Sequence, residues 1–226
     1  MTLHILRKII GFVVMAGAVG VLIAQCRKPT WWPGRFYAWL MNQTHFWLTT
    51  WGLEHVEIGK GDTILDVGCG GGRTIQRLAA IANEGKVYGI DYSPASVAVA
   101  RGTNRDSIAL GRVDVQLGSV SSLPFPDASF DLVTAVETHY YWPDPVNDLR
   151  EILRVLKPGG RLLIAAEVYS RSEHAVGYPM IMKILGGRSL TVREQREQFA
   201  EAGYVDVETF ENSSKGWFCG VAKKPA

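Results

Sequence analysis

Cysteine is scarce in this sequence. Cys26, Cys69 and Cys219 form an odd, unpatterned set of three in 226 residues. Such a set excludes a disulfide-stapled scaffold, fits a reducing compartment, and gives no reason to expect a metal site. A surplus of charge is also missing. Lys and Arg number 24 against 22 Asp and Glu, a net charge of +2, so charge alone points to no nucleic-acid partner. Internal repeats and low-complexity tracts are absent. With hydrophobic residues at 47% and charged residues at 20%, the composition is that of a folded globular chain. The length suits one domain with an appendage.

Charge is absent altogether from residues 9–26. Ile9 to Ala24 reads IIGFVVMAGAVGVLIA, and Gln25 and Cys26 extend the uncharged run to 18 residues. As a helix it would measure roughly 27 Å, close to the hydrocarbon thickness of a bilayer. Arg7 and Lys8 precede it and Arg27 and Lys28 follow it, where long basic side chains reach the interfaces. The expectation is a hydrophobic anchor helix over residues 1–28, with membrane contact through residues 9–26. A cleaved signal peptide and a buried core helix are the alternatives. Basic flanks on both sides leave the orientation open.

Residues 29–55 form an aromatic lead segment that holds five of the seven tryptophans: Trp31, Trp32, Trp39, Trp47 and Trp51. Trp31 and Trp32 fall where an interfacial aromatic belt would lie. Phe36, Trp39, Leu40, Trp47, Leu48 and Trp51 recur at helical spacings. The segment is expected as an interfacial helix, as a lid over a pocket, or as a helix packed on the core. Asn42 and His45, three apart, share one face if it is helical.

Residues 56–226 alternate strand and helix. Strands are expected at 63–67, 86–90, 113–117, 130–136 and 161–166, with two closing strands at 205–210 and 216–222. Helices are expected at 74–82, 93–101, 145–156 and 190–202. Ser93 and Pro94 are placed as N-cap and first residue of the second of these. Such alternation implies an α/β fold, a mainly parallel sheet with helices on both faces. Ligands then bind beyond the carboxyl ends of the strands, where strand order reverses.

The first strand runs into ILDVGCGGGR, residues 64–73. Glycines there permit positive φ and close approach of a ligand to the backbone, and the helix that follows offers free N–H groups. The next strand ends in Asp91, 25 positions after Asp66, where an acid can accept both ribose hydroxyls of a nucleoside. The dinucleotide pattern G-x-G-x-x-G/A fails in its third position, which is Arg73. What stands instead is G-x-G-x-G: Gly68, Gly70, Gly72. A nicotinamide-dependent oxidoreductase is therefore a weaker alternative, and a non-catalytic cofactor-binding scaffold is the other.

ILDVGCGGG, VYGIDYSPASVAVAR, GSVSSLPFPDASFDLVTAVET and LREILRVLKPGGRLLIA together resemble four motifs of the class I S-adenosylmethionine-dependent methyltransferases, in the family's order and over about residues 56–224. The resemblance implies a Rossmann-like seven-stranded sheet of order 3-2-1-4-5-7-6 with the last strand antiparallel. It implies S-adenosylmethionine as methyl donor. It implies that Asp66, Gly68, Cys69, Gly70 and Gly72 line the methionine end, that Asp91 holds the ribose, and that Tyr92 lies against the adenosine. Ser119 and Val120 would border the adenine, and Ala135 to Glu137 would pass beneath the cofactor. Many relatives carry an acid where Ser119 stands.

Transfer of an activated methyl needs an in-line nucleophile and a proton acceptor where that nucleophile carries a proton. ETHYYWPD, residues 137–144, follows the fourth strand. His139 and Tyr140 are candidate acceptor-side groups there, and Glu167 beyond the fifth strand is a further candidate base. The chain has no Asn/Asp-Pro-Pro-Tyr/Phe motif of the amino-methylating DNA and protein-glutamine relatives. A small acceptor with an O, N or S nucleophile is expected, hydrophobic or membrane-borne in view of residues 9–51. Because the cofactor is made in the cytosol, the catalytic domain is expected on the cytoplasmic side of the membrane that anchors it.

Overall fold

The computed structural model describes residues 29–167, 182–184 and 186–226. Seven strands form one sheet in the order β3-β2-β1-β4-β5-β7-β6. They are β1 Thr63–Val67, β2 Lys86–Asp91, β3 Val113–Leu117, β4 Phe130–Val136, β5 Leu156–Ala166, β6 Val205–Asn212 and β7 Trp217–Lys223. Strands β1 to β5 pair in parallel, and β7 runs antiparallel to both β5 and β6. Order and strand direction agree with the expected architecture. The central strands are buried on both faces, which is why TILDV and FDLVTAV read as nearly unbroken apolar runs.

The helices are α1 Trp31–Thr44, α2 Phe46–Leu53, α3 Arg73–Ile81, α4 Pro94–Thr103, α5 Arg105–Ala109, α6 Pro145–Val155 and α7 Val192–Ala202. Ser93 caps α4 by accepting from the Ser96 amide, with Pro94 at the first position as expected. Thr191 and Glu194 close a capping box on α7. Strand β5 starts five residues earlier than the sequence pattern suggests. Leu156 already pairs with Phe130, and the ladder then shifts so that Arg161 pairs with Leu132. Gly159, at φ +74°, makes that irregularity possible. The short α5 buries none of its residues, so the sequence pattern carries no signal for it.

The lead segment is helical in both halves. Helix α2 packs on the core: Leu48 is fully buried among Ile64, Leu163, Ala165 and Cys219. Gly52 allows this close approach, since a Cβ would stand 3.1 Å from that of Ala165 and force a small shift. Helix α1 and the α1–α2 joint lie over the glycine loop. Phe36, Trp39, Leu40 and Trp47 remain exposed on the outer side. The apolar run 9–26 and the side chains of Trp31 and Trp32 lie outside the described residues. Among the described residues no helix is long and apolar enough to cross a membrane.

Candidate active site

Two cavities open at the carboxyl end of the sheet, and Gly68 lines both. One is bordered by Val67, Ile90, Tyr92, Ser119, Val120 and Trp142. The other is bordered by Asp66, Gly70, Arg73, Arg77, Asn42 and His45. An elongated ligand can run from one to the other across the glycine loop.

The loop is shaped by its backbone. Gly68 and Cys69 both donate their amides to the Ile90 carbonyl, at 2.8 and 3.0 Å. This ties the end of β1 to β2. Gly68 sits at φ +70°, and a Cβ there would meet the Thr138 hydroxyl oxygen at 2.2 Å, so only glycine fits beneath the chain leaving β4. Gly70 is also left-handed at φ +51°, but a Cβ on it would meet nothing within 4 Å. The space beside it is open for a ligand. Cys69 turns its thiol inward, toward Ile75 and Gly89. Burial pushes that thiol well above its usual range, so Cys69 contributes backbone and not a thiolate.

Asp91 ties the loop to the second strand. Its Oδ2 accepts the Gly70 amide at 2.9 Å and its Oδ1 accepts the Ser93 amide at 2.8 Å. Burial raises its pKa, and those two amides together with the Ser96 hydroxyl work against the rise. With three donors on it, the carboxylate keeps acceptor capacity for a ligand hydroxyl. Asp66 is more deeply buried. The Thr134 hydroxyl donates to its Oδ1 at 2.7 Å, yet burial pushes its pKa up to about 7. A cationic ligand group beside Asp66 would draw it back to the charged form. On the other cavity Trp142 carries a buried indole N–H that no protein atom accepts, a donor suited to the ring nitrogens of a base. Open space beside Gly70, the remaining acceptor capacity of Asp91 and an unmatched Trp142 donor together fit an adenosine with a charged tail.

Three contacts that hold this loop have no signal in the sequence. Thr134 supports Asp66, Thr138 roofs Gly68, and the buried Asn104 on the α4–α5 joint donates to the Gly72 carbonyl at 2.9 Å. The lead segment supplies a fourth. Asn42 donates to the Gly71 carbonyl at 2.9 Å and accepts the Arg73 amide at 3.3 Å, the first of α3. Arg77 anchors the same segment, donating to the Phe46 carbonyl at 2.9 Å and stacking 4.3 Å over its ring.

The acceptor side brings together some of the candidates and separates one. Glu137 ends β4 in a left-handed conformation at φ +59°, which is strained for a residue with a Cβ. Its Oε2 accepts the Tyr140 hydroxyl at 2.6 Å and its Oε1 accepts the Glu167 amide. Burial raises the Glu137 pKa. The half-buried Glu167 is raised too, by burial and by the charge of Glu137. His45 reaches this group from the α1–α2 joint, its Nε2 3.9 Å from Glu137 Oε2. Tyr140 and Glu167 thus meet around Glu137. His139 does not join them. Its ring is buried against a separate small cavity with Leu190, Thr191, Gln195 and Phe218, and burial lowers its pKa to about 4. Among the described residues no group of three or more His, Cys, Asp or Glu could hold a metal ion.

The family model for a methyltransferase domain matches residues 65–164. An uncharacterized methyltransferase, YdaC of Bacillus subtilis, is 31% identical over 188 residues, 82% of this chain and 94% of its own length. The demethylmenaquinone methyltransferase of Symbiobacterium thermophilum is 41% identical over 114 residues, 49% of this chain and 45% of its own. A chain in the Haloferax volcanii complex of the Trm112 methyltransferase activator with a methyltransferase superposes with a TM-score of 0.73 at 25% identity, covering 86% of this chain and 96% of that one. These relatives displace the nicotinamide-dependent reading and the non-catalytic one. The chain is an enzyme that belongs to the class I S-adenosylmethionine-dependent methyltransferases.

Proposed function

We propose that this methyltransferase acts on a small hydrophobic or membrane-borne acceptor through an O, N or S nucleophile. S-adenosylmethionine supplies an electrophilic methyl group; what the chain adds is binding, alignment and a proton acceptor. In this reading Asp66, Gly68, Cys69, Gly70 and Gly72 hold the methionine end. Asp91 holds the ribose, Tyr92, Ser119 and Val120 enclose the adenosine, and Glu137 lies beneath the cofactor. Tyr140 and Glu167 border the acceptor.

One observation carries the acceptor class. The roof of the cavity is the aromatic pair α1–α2, which turns Phe36, Trp39, Leu40 and Trp47 outward directly after the uncharged run 9–26. That arrangement suits a chain held at a membrane, with its catalytic domain on the cytoplasmic face and an apolar acceptor entering from the lipid side. The relative named for demethylmenaquinone supports an apolar acceptor and gives no support to the choice of methylated atom. The near-neutral charge favours no nucleic-acid partner.

Flotation of the full chain with phosphatidylcholine–phosphatidylglycerol vesicles tests the reading, alongside methylation of one quinol acceptor supplied in vesicles or in detergent-free solution. Co-flotation and faster methylation in vesicles are expected. A chain that stays in the aqueous fraction and prefers a water-soluble acceptor refutes the membrane-borne class.

A further inference from the structure

The lead segment contributes more than a roof. His45 closes α1, its amide donating to the Met41 carbonyl at 3.1 Å. Its own carbonyl accepts from both the amide and the hydroxyl of Thr49, at 3.0 and 2.9 Å. The backbone at the joint is therefore fixed, and the imidazole stands on the cavity that Asp66, Gly68 and Gly70 also line. Behind it Glu137 is itself immobilised, with one carboxylate oxygen on the Tyr140 hydroxyl and the other on the Glu167 amide. This is the arrangement of a base whose partner is in turn oriented by third groups. At 3.9 Å the His45–Glu137 separation is too long for a hydrogen bond but short enough for charge attraction.

We propose that His45 is the catalytic base that takes the acceptor's proton, and that Glu137 is the positioning carboxylate that steadies the imidazolium so formed. The inference rests on the methyl-acceptor reading above. A lone pair of the acceptor atom forms the new bond to the methyl carbon. The sulfonium C–S bond breaks and its electron pair stays on sulfur, leaving a neutral thioether. The proton of the acceptor passes to the imidazole, so the positive charge lost at sulfur reappears on His45.

The charges around the imidazole permit this. Glu137 faces it from the end of β4, Glu167 from the end of β5 and Asp66 from the end of β1, while Arg73 and Arg77 of α3 line the same cavity. Burial lowers the His45 pKa and the charge of Glu167 works against that. The ring is consequently neutral and able to accept a proton near pH 7.

The test uses the full chain, His45→Gln and Glu137→Gln, with two acceptor probes. Phenol keeps its proton to about pH 10, as tyrosine does, whereas 4-nitrothiophenol is already ionised at neutral pH. His45→Gln is expected to slow methylation of phenol by about 100-fold or more and to slow that of the thiophenolate far less. Its affinity for S-adenosylhomocysteine, read by calorimetry, should stay within about threefold of wild type. Independently of any acceptor, the His45 ring protons followed by NMR should titrate at lower pH in Glu137→Gln than in wild type. Equal losses on both probes, or a titration indifferent to Glu137→Gln, overturn the proposal. A wild type that binds S-adenosylhomocysteine but methylates neither probe counts against the acceptor class, and the titration then decides the pair alone.

Discussion

At the proposed cofactor end of the cavity the chain presents backbone: amides of Gly68, Cys69 and Gly70 fixed by Ile90 and Asp91, all from two adjacent strands and their loops. At the acceptor end it presents side chains from separate segments: His45 from α1–α2, Glu137 and Tyr140 after β4, Glu167 after β5. A backbone cradle depends on where glycines and one acid fall along a short stretch, so it tolerates little variation. A side-chain cluster depends on how distant elements pack, so it can be rebuilt with different residues on the same sheet. The first end suits a ligand common to a family and the second a substrate that differs between members.

Removing Asp91 should break the cofactor end outright. Asp91→Ala deletes the acceptors for the Gly70 and Ser93 amides as well as those for a ribose. Charge-assisted hydrogen bonds contribute about 1.5–3 kcal/mol each, so affinity for S-adenosylmethionine should fall by about 100-fold or more in a calorimetric titration. A loss under about threefold would place the ribose elsewhere.

Asp66 tests the same end from the opposite direction, because there binding and stability conflict. Its folded pKa of about 7 lies above its ordinary value of 3.8. A group raised in this way favours the fold below its unfolded pKa, and that contribution is lost as pH rises through the folded one. The wild type should therefore lose stability between about pH 4 and pH 7. Asp66→Asn should match it near pH 4 and exceed it above pH 7 by about 1–4 kcal/mol, measured by thermal unfolding of the ligand-free protein. The same variant should bind S-adenosylmethionine about 10-fold more weakly. Stabilisation without weakened binding would remove Asp66 from the methionine end.

How much of this was legible follows the same division. Most strand positions and the glycine loop with the acid at Asp91 could be read from local spacing, whereas the sheet order came only with the resemblance of four motifs to the methyltransferase family. Asn104, Thr134 and Thr138 could not, because nothing in their neighbourhoods distinguishes them from ordinary helix or strand residues. Their role comes from what the fold places opposite. His139 misleads for a related reason. Sequence puts it at the carboxyl end of β4, but the short 3₁₀ turn His139–Tyr141 sends consecutive side chains in different directions. Tyr140 reaches Glu137, and His139 enters the core.

Asn42 joins the two ends, since it sits one helical turn before His45 yet holds the glycine loop. Asn42→Ala leaves the Gly71 carbonyl and the Arg73 amide without those partners, a cost of about 1–2 kcal/mol. S-adenosylmethionine affinity should fall by about 10-fold, and protease cleavage within α1 should accelerate. Weakened binding with unchanged cleavage would mean that Asn42 touches the ligand directly rather than pinning the roof.

The smallest effect is expected from His139, and it sharpens the contrast with His45. Both are histidines near the acceptor end, and both have pKa values lowered by burial. They differ in what they face: His45 the cavity of Asp66 and Gly68, His139 the separate one beside Gln195 and Phe218. His139→Gln replaces a buried neutral ring, whose Nδ1 has no partner, by a smaller polar group. Unfolding should therefore shift by about 1–2 kcal/mol, while the phenol methylation rate stays within about threefold of wild type. The pH–rate profile should keep its acid limb, because that limb belongs to His45 in this scheme. If His139→Gln instead abolishes the limb while His45→Gln leaves it, the base lies on the strand after all and the lead segment only roofs the site.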